Sequence, residues 1–150
     1  MIFVTVGTTL CFDELIEAVD AFAGQGLIKG PVLCQIGNGA CQPKNCEYFR
    51  FRPSIEDLMM KASVVICHGG TGTVLNLLAM RKPFVAVANK SGADNHQAQF
   101  LSRLEKEVPL LWTADVKKLP ELVLAAASAR PGAVRDGRLS EDIRKYIEGI

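Results

Sequence analysis

An open α/β sheet, mostly parallel and wound with helices on both faces, is the fold predicted for this 150-residue chain. Three observations predict it. Short continuous apolar runs alternate with helical patterns through most of the length. Those runs are rich in β-branched residues, as strands buried on both faces require. Glycine-rich turns follow the early runs, at the strand ends where such sheets bring backbone close to a ligand.

The first strand is IFVTV (Ile2 to Val6), and a glycine turn, VGTT (Val6 to Thr9), ends it. FDELIEAVDAFA follows as a helix with Phe12, Leu15, Ile16, Val19 and Phe22 on one face. VLCQI (Val32 to Ile36) is the second strand, with a second glycine turn, IGNGA (Ile36 to Ala40), behind it. EYFRF (Glu47 to Phe51) is a weaker strand candidate. SIEDLMMKA then reads as a helix capped by Ser54, with Asp57 three residues on. VVIC (Val64 to Cys67) and FVAVA (Phe84 to Ala88) are strands around the helix TVLNLLAM. NHQAQFLSRLEKE is helical, PLLW (Pro109 to Trp112) is a second weak strand, and LPELVLAAASA is helical again. ARPGAVRDGR (Ala129 to Arg138) reads as a connector. It leads to a last amphipathic helix, capped by Ser140 and striped by Ile143, Tyr146, Ile147 and Ile150. A single domain over 1–150 is expected, long enough to bury a core without disulfides or metals.

Composition narrows the function. Charged residues make up 22% of the chain and 49% is hydrophobic, which argues against disorder. The formal net charge of +1, from 17 basic and 16 acidic residues, lacks the basic excess of a nucleic-acid binder, so no nucleic-acid partner is expected. No apolar run approaches the roughly 20 residues that cross a bilayer, and the first residues read as a strand, not a leader. A cytoplasmic location is expected, because five cysteines in no dense framework suit a reducing compartment. A zinc site would need Cys41 and Cys46 with Cys34 or His68, and no second close pair supports it.

The stretch CHGGTGTVLNLLAMRKP (Cys67 to Pro83) carries the chemistry. It places Gly69, Gly70 and Gly72 between a strand and a helix. Glycine lets backbone N–H groups approach an anion, and the helix start adds free donors and partial positive charge. Thr71 and Thr73 supply hydroxyls. A diphosphate suits such a turn; the alternative is a turn that only lets strand and helix pack closely. Neither the Walker pattern nor the dinucleotide fingerprint fits, since no Gly-Lys-Ser/Thr closes the loop and no acidic residue ends the next strand. In a parallel sheet the three glycine turns emerge on one edge and are expected to line one crevice. Asp94, Asn95, His96 and Gln97 fall on the same edge, and their mixed donors and acceptors suit sugar hydroxyls. Equally, Asp94 or Asn95 caps a helix there and His96 is a solvated surface group.

MIFVTVGT, FDELIEAVD, QIG, VVICHGGTGT, the KP before a strand and DNHQ together resemble the glycosyltransferase family 28 C-terminal domain. Within it they resemble the small PssE-type subunits of exopolysaccharide glycosyltransferases and the catalytic subunit of the eukaryotic two-subunit UDP-GlcNAc transferase. The resemblance spans about Met1 to Trp112. It implies a Rossmann-like domain equivalent to the C-terminal half of a GT-B enzyme, with UDP-sugar as donor substrate and neither metal nor cofactor. A membrane-anchored partner supplies the acceptor-binding half, holds the chain at the inner face of the membrane, and works on a lipid-linked saccharide acceptor. By resemblance, Gly7 and Thr8 belong to the first loop, and His68, Gly69, Gly70, Thr71, Gly72 and Thr73 face the diphosphate. Asn95, His96 and Gln97 approach the sugar. Related enzymes place a Glu where this chain has Asn76, which hydrogen-bonds to ribose without charge. They also read Gly-Thr-Gln where this chain has Gly7, Thr8 and Thr9, and Pro where it has Cys11. Inverting, metal-independent hexosyl transfer is the implied reaction. His68 and His96 are the candidate catalytic side chains, with the general base expected on the partner. The alternative is a non-catalytic subunit that binds nucleotide-sugar or stabilises its partner, and Asn76 favours it.

Overall fold

The computed structural model describes residues 1–7, 10–90 and 96–128. Their elements run β1 (Ile2–Thr5), α1 (Asp13–Gly24), β2 (Val32–Gln35), β3 (Glu47–Phe49), α2 (Glu56–Lys61), β4 (Val64–His68), α3 (Thr71–Met80), β5 (Phe84–Val87), α4 (His96–Leu104), β6 (Trp112–Thr113) and α5 (Leu119–Ser128). A 3₁₀ turn, Val116–Lys118, leads into α5. The expected connector and final helix lie outside the described residues.

All six strands pair in parallel, in the order β3-β2-β1-β4-β5-β6. The pleat divides the apolar residues of each strand between two faces. Phe3, Val65, Cys67 and Ala86 pack against α2, α3 and α4 through Met59, Leu77 and Leu101. Val4, Cys34, Ile66 and Val85 pack against α1 and α5 through Leu15, Ile16, Leu119 and Val123. Side chains as fully buried as Phe3, Leu15 and Leu101 each contribute about 1.5–3 kcal/mol.

Two expectations shift. Ser54 does not occupy the cap of α2: Ile55 does, without a side-chain cap, and Ser54 accepts only a long bond, 3.4 Å, from the Glu56 N–H. The second weak strand forms later than expected, at Trp112–Thr113, where those residues pair with Ala86 and Val87 of β5.

The turn after β2 also departs from the expected crevice. Arg50 leaves β3 to donate to the carbonyls of Gly37 and Gly39 at 3.0 and 2.9 Å, and the Asp13 carboxylate accepts the N–H groups of Ala40 and Cys41. The carbonyls of Gly37 and Gly39 and the N–H of Ala40 are thereby engaged within the protein, and this turn does not line the cavity described next.

Candidate functional site

The strand order reverses between β1 and β4, and ligands of open α/β sheets bind at the carboxyl ends of strands beside such a reversal. A cavity of about 660 Å³ opens there, over the face covered by α2 and α3. Thr5, Val6 and Gly7 from β1 and its turn line it, with Gln35 of β2, the segment Arg52 to Glu56 and Met59 of α2. His68, Gly70, Gly72, Thr73, Asn76 and Gln97 complete it.

At the start of α3 the cap residue is Gly70, in extended conformation, and no side chain caps the helix. The first-turn N–H groups thus face the cavity side without a capping oxygen, as an anion site requires. A Cβ at Gly72 would meet nothing within 4 Å.

His68 organises this corner. Its Nδ1 accepts the Gly70 N–H at 3.1 Å, so the neutral ring carries its proton on Nε2, 3.4 Å from the Thr73 hydroxyl. Burial pushes the imidazole below its ordinary value, which favours that neutral form. The ring leaves no room beside it: a Cβ at Gly7 would lie 2.6 Å from Nε2, and one at Gly70 would lie 2.1 Å from Cε1. Gly7 also holds φ +78°, which side chains rarely adopt.

Gln97 lines the cavity as a strut. Its Oε1 accepts the N–H groups of Gly69 and Asn89 at 2.9 and 2.8 Å, tying the β4 turn to the end of β5. Asn89 extends the tie by donating to the Cys11 carbonyl at 3.1 Å.

Not every expected site residue faces the cavity. Gly69 is buried against α4, where a Cβ would meet Leu101 at 2.9 Å and Gln97 at 3.0 Å, so here the glycine serves packing. Thr71 is exposed and off the cavity lining, and exposed His96 begins α4 away from it. Thr8 and Asn95, with Thr9 and Asp94, lie outside the described residues.

Sequence reasoning missed Thr5, Gln35 and the segment Arg52 to Met59. A signal existed for the first two: each is a polar residue at the end of an apolar strand, and both are buried, at 0% and 2% exposure. Arg52 is held by its guanidinium, 4.5 Å over the Phe49 ring.

All five cysteines are free thiols. On the α1 face the neighbouring Cys46 thiol, with burial, pushes the Cys34 thiol far up. Among the described residues no three His, Cys, Asp or Glu side chains gather as metal ligands.

A family model, the glycosyltransferase family 28 C-terminal domain, matches residues 1–134. The UDP-N-acetylglucosamine transferase subunit ALG13 of Homo sapiens is 35% identical over 147 residues, covering 90% of this chain. This chain spans only 13% of that relative's length. The crystal structure of the glycotransferase of kitacinnamycin superposes with a TM-score of 0.68 at 22% identity, covering 98% of this chain and 39% of that one. The NMR solution structure of ALG13 superposes with a TM-score of 0.63 at 20% identity, covering 98% of this chain and 96% of that one.

Proposed function

The chain belongs to the glycosyltransferase family 28 C-terminal domain family, and from that premise we propose that it is the donor-binding subunit of a two-component transferase. Its fold is that of the C-terminal half of a GT-B glycosyltransferase. The proposed reaction moves a sugar from a UDP-sugar to a lipid-linked acceptor, with inversion and without a metal. UDP-N-acetylglucosamine is the donor to try first, because the human relative is named as a subunit of a UDP-N-acetylglucosamine transferase. The narrower role in exopolysaccharide assembly rests on the sequence motifs.

The observation that carries this reading is the uncapped start of α3, with open Gly72 and the His68 ring beside it, at one end of the cavity. As the bond from the anomeric carbon to the phosphate oxygen breaks, charge grows on the departing diphosphate. Fixed N–H donors at Gly72 and Thr73 stabilise that charge, each contributing about 2.7–4 kcal/mol if it acts like a well-studied oxyanion donor. His68 orients the loop through Gly70 and presents Nε2–H on the same side. Asn76, one turn along α3, meets the ribose. Thr8, Asn95 and His96 belong to this proposal by resemblance alone, with His96 the candidate for the sugar.

The acceptor hydroxyl must also lose a proton, and the proposed base sits on the partner. Among the described residues no helix is long and apolar enough to cross a membrane. The proposed arrangement is a cytoplasmic chain held at the inner face of the membrane by a membrane-anchored subunit, as the resemblance to two-subunit transferases implies.

Transfer of labelled sugar from UDP-N-acetylglucosamine, with the partner coexpressed, tests the reading. Gly72→Asp puts a carboxylate into open space at the proposed phosphate position without a steric clash. It is expected to abolish transfer while the chain stays folded. Undiminished transfer by this variant would remove the loop from the mechanism.

A second reading, a subunit that binds nucleotide-sugar without catalysing, is favoured by Asn76 in the place where relatives carry Glu. It predicts UDP binding by the complex with no transfer from any UDP-sugar, and Asn76→Glu would then raise affinity without starting turnover.

A further inference from the structure

We infer that Gln35 is a substrate-binding residue of the cavity: its carboxamide N–H₂, held in place by Thr5, donates to a keto oxygen of the bound nucleobase. This rests on the nucleotide reading proposed above and assigns one end of the ligand to a residue that no sequence motif marked.

Gln35 is 2% exposed and Thr5 is fully buried, yet both line the cavity. They face each other across adjacent strands, and the Thr5 hydroxyl donates to the Oε1 of Gln35. That bond fixes the carboxamide with its oxygen toward Thr5 and its nitrogen away. Among the described residues nothing accepts a hydrogen bond from this Nε2. Among the described residues no side-chain nitrogen or oxygen sealed from solvent lacks a partner, so the Nε2 of Gln35, with no described partner, is not sealed in. In so buried a residue, the surface left to it is the cavity floor. An amide donor placed at the bottom of a cleft, with no partner among the described residues, is poised for a ligand acceptor.

Topology says which part of the ligand. An anion belongs at the start of α3, which β4 feeds. Gln35 stands on β2, two strands away, about 9.6 Å at the usual spacing of parallel strands. That is beyond hydrogen-bond reach of a diphosphate at Gly72, so the nucleoside occupies the intervening floor. Ile55 and Met59 give that end apolar walls suited to a flat base. Because Oε1 is already engaged, Gln35 offers donors only, which suits the keto oxygens of uracil.

The test titrates the full chain with UDP and, separately, with inorganic pyrophosphate, following the backbone amides of Gly70 to Thr73 by NMR. Gln35→Met keeps the length of the side chain and removes the donor without introducing an ionisable group. The double variant Thr5→Val/Gln35→Met replaces both polar groups by apolar ones of similar shape, the change best tolerated in a core. Each variant is expected to bind UDP about tenfold more weakly and pyrophosphate as the wild type does. UDP affinity within about twofold of wild type in either variant overturns this inference and leaves the nucleotide reading intact. So does an equal loss toward pyrophosphate, which would mark Gln35 as structural. A wild-type chain that responds to neither ligand overturns both.

Discussion

Gly70 and Gly72 stand two residues apart and are glycines for different reasons. A side chain at Gly70 would run into the His68 ring at 2.1 Å, whereas one at Gly72 would enter open space. Gly70→Ala is therefore expected to lose about 1–3 kcal/mol in urea denaturation, as overpacked sites do. Gly72→Ala should stay within about 0.5 kcal/mol of wild type, while its methyl group weakens UDP binding. Unchanged UDP affinity in Gly72→Ala would take that glycine out of the site. His68 gives a second prediction, on pH. Its folded-state value lies below the ordinary one of about 6.5, so at neutral pH both folded and unfolded forms are uncharged. As pH falls below that value the unfolded chain takes up a proton that the folded ring resists, and stability declines toward the lower folded value. His68→Gln should flatten the stability profile between pH 7 and 5; an unaltered slope would show that His68 does not titrate in that range. At this scale the glycine turn was legible because glycine clusters are visible in any sequence. Which glycine serves packing and which the cavity was not, because His68 and Leu101 meet them only in the folded chain.

Lys82 links two elements in a way its place in the sequence only hints at. Its Nζ donates to the carbonyls of Met60 and Ala62, each at 2.7 Å, and so closes the carboxyl end of α2 with a positive charge. The KP dipeptide before β5 was legible as a motif, but its physical role comes from α2 lying alongside. Lys82→Met keeps the aliphatic stem and removes both bonds, and is expected to cost about 1–2 kcal/mol. Amide hydrogen exchange should localise the effect to Glu56 to Ala62; exchange that speeds up uniformly instead would deny the capping role. The strands were legible in proportion to their burial. β1, β2, β4 and β5 lie inside the sheet, and their unbroken apolar runs announce them. β3 and β6 are the edges, where one side lacks a neighbour and the pattern weakens. Just past β3, the Arg50 side chain donates to the carbonyls of Gly37 and Gly39, a long-range contact that no local pattern encodes.

Across the whole molecule, the cavity straddles the reversal in strand order. Thr5, Gly7 and Gln35 reach it from the arm β1-β2-β3, and His68, Gly72 and Asn76 from the arm that starts with β4. The alternation of strands and helices made the parallel sheet legible, and with it the edge on which the crevice lies; the strand order that sets the reversal was not. Nor was the floor of the crevice, since a Thr and a Gln inside apolar strands become a pair only when β1 and β2 are in register. A ligand held between the two arms binds the folded chain and not the unfolded one. At 100 times its Kd, UDP should add about 2.7 kcal/mol of stability. For a chain of this length that corresponds to a rise in Tm of about 5–10 °C. The added protection should also have a shape. α5 packs on the opposite face of the sheet through Leu119, Val123 and Ala126. Amides that exchange by local opening should slow in Ile55 to Met59 and Gly70 to Asn76 when UDP is added, and those of α5 should keep their rates. Pyrophosphate in place of UDP should protect the start of α3 and leave α2 as it was. If UDP slowed α5 as much as α2, its binding site would lie on the other face of the sheet, and the cavity between α2 and α3 would need a different ligand.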